Sequence, residues 1–531
     1  MLRRYGAFLL ACCFLETACA TSGSSGVSDA AAVPKSTPTP TPAQTPAPPP
    51  PQAKYSAEVE QRIARVTRGL LPVTDRSTTF GSPAELAERM RYYHTPGVSV
   101  AVIQDGKIEW ARGFGVRDAR TKEPMTAETL LQAASISKPV TALGVVRLVE
   151  QGKMELDEDI HRYLKSWKVP PNGEWQARIT LRELLSHSAG LTVHGFPGYH
   201  VNEPIPTVTQ ILNGAAPANT LPVRVNILPG TTFRYSGGGT TVVQLAVVDH
   251  LNRPFPEIMR ELVLEPLGMK HSTYEQPLPV ALHGAAATAH PWKGDPLEGR
   301  WHTYPEMAPA GLWTTPTDLC RVGLELQRAV KGESKLLAKK LAEEMLTRQM
   351  GDLGIGFYLQ GKDATLRFGH SGWNMGFVSR ATFYKDRGIG AVIMANSNEG
   401  ASMIDEIERS IAREYQWLDY FKQEKKRIDV DAAALDRLAG DYESENGVRI
   451  GVARDGKDLV LTAGRQPAVR LAPYEATKFF ASILELEVVF KVSGDKPAES
   501  VTLQQERTSV EAKRKASAPA AKRPGSALKD K

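Results

Sequence analysis

Four cysteines in 531 residues give no disulfide framework: Cys12, Cys13 and Cys19 crowd the N-terminus, and Cys320 stands alone in the rest of the chain. A fold held by internal bridges is therefore excluded. Beyond the short apolar run from Ala7 to Leu15, no stretch approaches the roughly 20 residues needed to cross a bilayer as a helix. Net charge is also missing from most of the chain. The formal charge is +6, and residues 512 to 531 carry seven Lys or Arg against one Asp, so everything before them sums to about zero. A basic body that would bind nucleic acid is absent. His187, His194 and His200 cluster in sequence, but their spacing fits no zinc signature and no acidic residue completes a set, so no metal site and no cofactor are expected.

What is present begins with an address. Met1-Leu2-Arg3-Arg4, the apolar run and Glu16-Thr17-Ala18-Cys19 read as a secretory signal over residues 1 to 19. Thr17-Ala18-Cys19 also suits a lipoprotein cleavage site, with Glu16 where an aliphatic residue is usual; Leu9-Leu10-Ala11-Cys12 suits it by residue type but leaves a very short apolar core. Residues 20 to 54, rich in Pro, Thr and Ala, read as a semi-rigid spacer, with ordered structure expected from near Tyr55. The expectation is an exported bacterial protein, periplasmic or anchored to the membrane through an N-terminal lipid.

Ser135-Ile136-Ser137-Lys138 carries the chemistry. Residues three apart on a helix share a face, so Lys138 would lie beside the Ser135 hydroxyl if a helix runs from here through Leu143, Val146 and Val149. Pro139 fits the first turn of such a helix, where backbone donors lack partners. That places Ser135 at a helix N-terminus, where the dipole favours developing negative charge. Two further clusters follow: Arg234-Tyr235-Ser236-Gly237-Gly238-Gly239 and Gly369-His370-Ser371-Gly372-Trp373.

Ser-x-x-Lys, then Tyr-Ser-x, then a basic residue with x-Gly resembles the signature of penicillin-recognising serine hydrolases: class C β-lactamases, D,D-peptidases, D-aminopeptidases and related esterases. The segment Thr180 to Leu191, the stretch Pro96 to Val102 with Gly113-Phe114-Gly115, Glu265 to Met269 and Ala310 to Trp313 resemble other parts of that family, over roughly residues 57 to 418. The resemblance implies a β-lactamase-like α/β (α+β) fold, an antiparallel sheet flanked by helices, across 55 to 425. It implies Ser135 as nucleophile, a neutral Lys138 as its base, and Tyr235 as the proton relay. His370, Ser371 and Gly372 would bind substrate along an edge strand, and the amides of Ser135 and Trp373 would form the oxyanion hole.

Two positions depart from the family. His370 stands where many relatives have a lysine, and a mostly neutral histidine weakens carboxylate recognition. This shifts the expectation toward esterases and D-aminopeptidases, with a β-lactamase as the alternative. Gly237 stands where relatives have an asparagine; the glycine run either brings backbone close to the site or shapes a turn.

Other features read as structure. Thr315-Pro316-Thr317-Asp318 is a helix start leading into Leu319, Val322 and Leu326, with Cys320 in its core face, and His187 is a hydrogen-bonder in its loop. After a helical stretch from Ile404 to Leu418 and the charged run Lys422 to Arg427, the period changes to two: Val448, Ile450, Val452, a turn at Asp455-Gly456, Leu459, Leu461, then Leu484 to Phe490. Residues 430 to 512 resemble the small lipocalin-like antiparallel β domain appended to some family members, and 513 to 531 form a basic tail. The whole reads as an exported serine hydrolase acting on amide or ester bonds of small acyl or D-residue peptide substrates. A non-catalytic wall-peptide-binding lipoprotein is the rival from another class. Oligomeric state has no signal.

Overall fold

The computed structural model describes residues 53–72, 82–421, 427–445, 447–464, 466–481, 486–505 and 508–515. The signal, nearly all of the spacer, most of the charged run 422–427 and the tail beyond 515 lie outside them.

Strand β1 (Gly97–Gln104) shows how one short sequence builds two cores. Its residues alternate between faces, as any strand must. Ala101 and Ile103 enter one apolar cluster, and Val98, Val100 and Val102 enter another. Because both faces are covered, the strand reads as a continuous apolar run rather than an alternation. Hairpin partner β2 (Lys107–Gly115) pairs antiparallel with it, joining Pro96–Val102 and Gly113–Gly115 as the sequence suggested. The remaining strands come from far along the chain: β3 (Tyr358–Gln360), β4 (Arg367–Asn374), β5 (Phe377–Tyr384) and β6 (Gly390–Ala395). The sheet order is β2-β1-β6-β5-β4-β3, and every neighbouring pair is antiparallel.

Helices α1 (Ala57–Arg68), α2 (Leu86–Tyr92) and α7 (Ala401–Glu414) contribute Ile63, Val66, Leu86, Ile407 and Ile411 to the cluster on one face. On the other face lie α3 (Ser137–Glu150), α4 (Gly237–Leu251), the single turn α5 (Met307–Ala310) and α6 (Pro316–Lys331). Helix α3 buries residues on all sides, from Val140 to Leu148, so it is a central rather than an amphipathic helix. Helix α6 begins as read: Thr315 Oγ1 caps it by accepting from the Asp318 amide, Pro316 occupies the first position, and Cys320 is buried with its thiol free.

The C-terminal part is an eight-stranded closed barrel. Its strands are β7 (Gly440–Ser444), β8 (Arg449–Asp455), β9 (Asp458–Ala463), β10 (Val469–Glu475), β11 (Lys478–Ala481), β12 (Leu486–Lys491), β13 (Ser500–Gln505) and β14 (Thr508–Arg514). Each pairs with the next, and β14 closes on β7. Ile450, Val452, Leu459, Leu461, Val488 and Phe490 point inward at the expected period of two. The last strand continues to Arg514, so Lys513 and Arg514 belong to the barrel rather than to a tail beginning at 513. Among the described residues no helix is long and apolar enough to cross a membrane.

Candidate active site

Ser135 sits in a single 3-10 turn, Ala134–Ile136, and α3 begins only at Ser137. The serine-to-lysine spacing thus spans a junction between two helix types instead of one helix begun at Ser135. The residue just before Ser135 holds the junction open: Ala134 has φ 52°, a left-handed conformation that an L side chain adopts at a cost of about 1–2 kcal/mol. Its neighbours fix it. Ser137 Oγ donates to the Ala134 carbonyl at 2.6 Å and accepts from the Leu312 amide at 3.0 Å, while Ser379 Oγ donates to the Ala133 carbonyl at 2.9 Å.

Lys138 is 4% exposed, and its Nζ lies 3.0 Å from Ser135 Oγ and 2.9 Å from the Pro309 carbonyl. No carboxylate is among those partners. Desolvation, with nothing to favour the charged form, pulls the amine down to about 7, within reach of the neutral state a base requires. Its Nζ is also 4.9 Å from the centre of the Tyr235 ring.

Tyr235 directly precedes helix α4, whose cap is Ser236: Ser236 Oγ accepts from the Gly239 amide at 2.8 Å and donates to the Thr192 carbonyl at 2.7 Å. The backbone on either side of Tyr235 is held by one residue. The His187 carbonyl accepts from the Arg234 amide at 2.8 Å, and His187 Nδ1 accepts from the Ser236 amide at 3.1 Å. That acceptor role makes Nε2 the protonated ring nitrogen, and burial followed by the Lys138 charge lowers its basicity well below normal. His187 is therefore a positioning residue, as its loop context suggested. Its ring and that of His194 pack on Tyr235 at 4.3 and 4.8 Å between centroids. The Tyr235 hydroxyl is directed at the Ser135 side chain, and burial, outweighing that contact, raises its pKa above the usual range.

The glycine run has a definite task. The Gly237 and Gly238 amides donate to the His194 and Val193 carbonyls, both at 3.0 Å. A Cβ on Gly237 would come 2.8 Å from a Phe196 ring carbon, and one on Gly238 would come 2.9 Å from the Thr192 carbonyl oxygen. The run docks the start of α4 on the 192–196 loop, and an asparagine at 237 would push that loop away.

Strand β4 brings the third cluster. Strand β3 pairs only with Arg367, Phe368 and Gly369, so 370 to 374 form an edge beyond it. Side chains alternate along that edge. His370, Gly372 and Asn374 are buried, whereas Ser371 and Trp373 are exposed, Trp373 at 60%. A Cβ on Gly372 would lie 2.2 Å from the Ala133 carbonyl oxygen, so only glycine lets this strand lie against the nucleophile turn. His370 Nδ1 is 2.6 Å from the Ser371 carbonyl, an obligate acceptor, so Nδ1 carries the hydrogen. Nε2 is then a buried lone pair with no protein partner. Burial, then the Lys138 charge, drops the ring to about 3, so it is neutral at any working pH. Its ring centroid is 5.2 Å from that of Tyr358 and 6.2 Å from that of Tyr235.

The structure thus gathers Ser135, Lys138, Tyr235, His370 and Gly372 into one site and leaves the Ser371 and Trp373 side chains facing outward. Sequence reasoning missed the Pro309 carbonyl, Tyr358, His194 and Glu306. Among the described residues no group of three or more His, Cys, Asp or Glu side chains could hold a metal.

Glu306 precedes α5, the turn that supplies the Pro309 carbonyl to Lys138. It is fully buried, and apart from its own amide its carboxyl has no protein partner. Desolvation raises it to about 8, so it is protonated at neutral pH. The folded state retains a proton that the unfolded chain releases near 4.5, so this group's contribution to stability is full below that pH and is lost as pH rises through about 8. Glu306→Gln, neutral throughout, is expected to flatten that decline. Thermal unfolding of both proteins from pH 5 to 9 checks it; parallel curves would show that Glu306 ionises freely.

The model of the Beta-lactamase family matches residues 84–415. Protein flp of Staphylococcus aureus (strain MW2) is 24% identical over 316 residues, which cover 57% of this chain and 60% of flp. The chain thus spans about three fifths of that relative's length. Penicillin-binding protein 4* of Bacillus subtilis (strain 168) is 23% identical over 468 residues, 81% of this chain and 97% of that one. Among solved structures, the octameric penicillin-binding protein homologue from Pyrococcus abyssi is 22% identical, with a TM-score of 0.53 over 80% of this chain and 98% of that one. At that identity the likeness concerns the fold.

Proposed function

The chain belongs to the Beta-lactamase family, and from that premise we propose that it is a serine hydrolase working through an acyl-enzyme on Ser135. The observation that carries this reading is the buried, carboxylate-free Lys138 amine 3.0 Å from the Ser135 hydroxyl. Neutral Lys138 takes the Ser135 proton as Oγ attacks a carbonyl carbon. Tyr235, facing Ser135, passes a proton to the leaving group and later helps water attack the ester. The backbone amides of Ser135 and Trp373 are the proposed oxyanion hole, supported by the close approach of Gly372 to the Ala133 carbonyl and the Ala134 methyl.

The substrate class follows from His370. A penicillin or a peptide C-terminus presents a carboxylate, which a cation would hold; this site presents a neutral ring with a free acceptor lone pair. Such a group favours a donor on the substrate, an amide N–H or a hydroxyl. The proposed substrates are accordingly amides or esters of small acyl groups or of D-residue peptides. The N-terminal signal and Cys19 support an exported, lipid-anchored setting. Turnover of p-nitrophenyl acyl esters and D-alanine amide beside benzylpenicillin and nitrocefin tests the reading. The expected kcat/KM for ester or amide exceeds that for either β-lactam at least tenfold; the reverse order would make the enzyme a β-lactamase.

A further inference from the structure

The sheet has two ends. The nucleophile lies against β4 near one end, and the other end is β2. At the β2 end, the last residues of α1, helix α2 and the end of β2 line an open hollow of about 660 Å³ that contains none of the active-site residues. That volume is in the range of small-molecule sites. Leu86, Met90, Pro96, Phe114 and Val116 give it an apolar lining.

Its rim is cationic, through Arg68, Arg91 and Lys122, with Glu85 as the acidic residue in the wall. The region shows why this matters. Nearby arginines are committed to carboxylates: Arg62 to Glu109, Arg65 to Glu414, Arg89 to Glu406, Arg112 to Glu60 and Arg117 to Glu123. His94, also at the cavity, is 2.8 Å from Glu399. Arg68, Arg91 and Lys122, without an ion pair among the described residues, line one apolar hollow.

We propose that this cavity is a second ligand site, separate from the catalytic serine, for an amphiphilic carboxylate: an acyl or aryl body in the apolar hollow and the anionic group among Arg68, Arg91 and Lys122. The apolar wall supplies affinity through burial, and the cations supply the preference for anions. A carboxylic acid is also what hydrolysis of an acyl ester releases, so a chain with this site can sense the product class of its own proposed reaction.

Isothermal titration of the full chain with decanoate tests the proposal, beside decanol, decyltrimethylammonium and acetate. Decanoate is expected to bind, with decanol and acetate at least tenfold weaker and the cation not bound. Two variants place the ligand. Arg91→Glu/Lys122→Glu, at exposed positions, is expected to weaken decanoate at least tenfold. Ala87→Trp, which fills the cavity from α2, is expected to abolish binding. Both should keep the parent's melting temperature and ester turnover. Ser135→Ala should bind decanoate like the parent. A diazirine-bearing decanoate should label peptides of α2 or the 114–122 segment, a readout that stands even where a variant fails to fold. No decanoate binding, equal binding of the cation, unchanged affinity in both variants, or labelling confined to the catalytic site would each overturn the proposal.

Discussion

Ser135→Ala is expected to lose all covalent labelling by a fluorophosphonate and to drop ester or amide turnover by about 10⁴-fold or more, because removing a nucleophile takes away the acyl-enzyme route. The sequence offers a built-in control, since Ser137 lies two residues away in the same tetrad. The structure separates the two serines. Ser135 is half-buried, with its Oγ on Lys138; Ser137 is fully buried, donating to the Ala134 carbonyl and accepting from the Leu312 amide. Ser137→Ala leaves the buried Leu312 amide without its partner, which costs about 1–3 kcal/mol, while the Ala134 carbonyl keeps the Ser137 backbone amide as a donor. That variant should melt at lower temperature yet still take up the fluorophosphonate. Intact-mass spectrometry on both variants decides the matter. An adduct of unchanged stoichiometry on Ser135→Ala would remove the nucleophile assignment. The binding-lipoprotein reading would then move ahead only if the parent also failed to turn over any ester or amide.

How much of this was legible in the sequence follows the range of the interactions. The Ser135 and Lys138 pair is local, three residues apart, so helical spacing put the two side chains together and the Tyr235 and His370 clusters singled the pair out, whereas nothing in the sequence signals the left-handed Ala134 that sets the 3-10 turn before the helix. The barrel was legible for the same reason: inward Ile450, Val452, Leu459 and Leu461 repeat every second residue. Its closure was not, since pairing of Thr508–Arg514 with Gly440–Ser444 leaves no mark in either segment. Long-range contacts were the blind spot. The carbonyl that holds Lys138 belongs to Pro309, 171 positions away, and a backbone oxygen has no residue type to recognise. Glu306 gave one faint signal, an acid between Tyr304-Pro305 and the apolar Met307-Ala308-Pro309-Ala310, whose burial only the fold discloses. The glycines at 237, 238 and 372 were visible as residues, but their reason lies in atoms supplied by Phe196, Thr192 and Ala133.

Lys138→Met is expected to lower kcat/KM by about 10³–10⁴-fold, the upper part of the range for losing a general base, and to change the pH dependence of what remains. In the parent, the reactive form carries a neutral Lys138, so kcat/KM should rise tenfold per pH unit at acid pH and level off with a midpoint near 7. Methionine cannot titrate, and the residual activity should lack that limb. The substitution should raise stability while it lowers activity. The folded chain sheds the lysine proton near 7, whereas the unfolded chain keeps it to about 10.5, so the unfolded state binds more protons between these values and the parent gains stability as pH rises through that window. Below 7 the parent holds a desolvated charge at full cost. Methionine, apolar and of similar length, escapes that cost, offset in part by the Pro309 carbonyl left without its donor. The variant should therefore melt above the parent at pH 5 to 7 and lose that advantage toward pH 10, an inactive but more stable protein, as expected where a catalytic group is buried against its own solvation. A parent profile flat from pH 5 to 8, or a Lys138→Met enzyme within tenfold of the parent, would show that the base lies elsewhere.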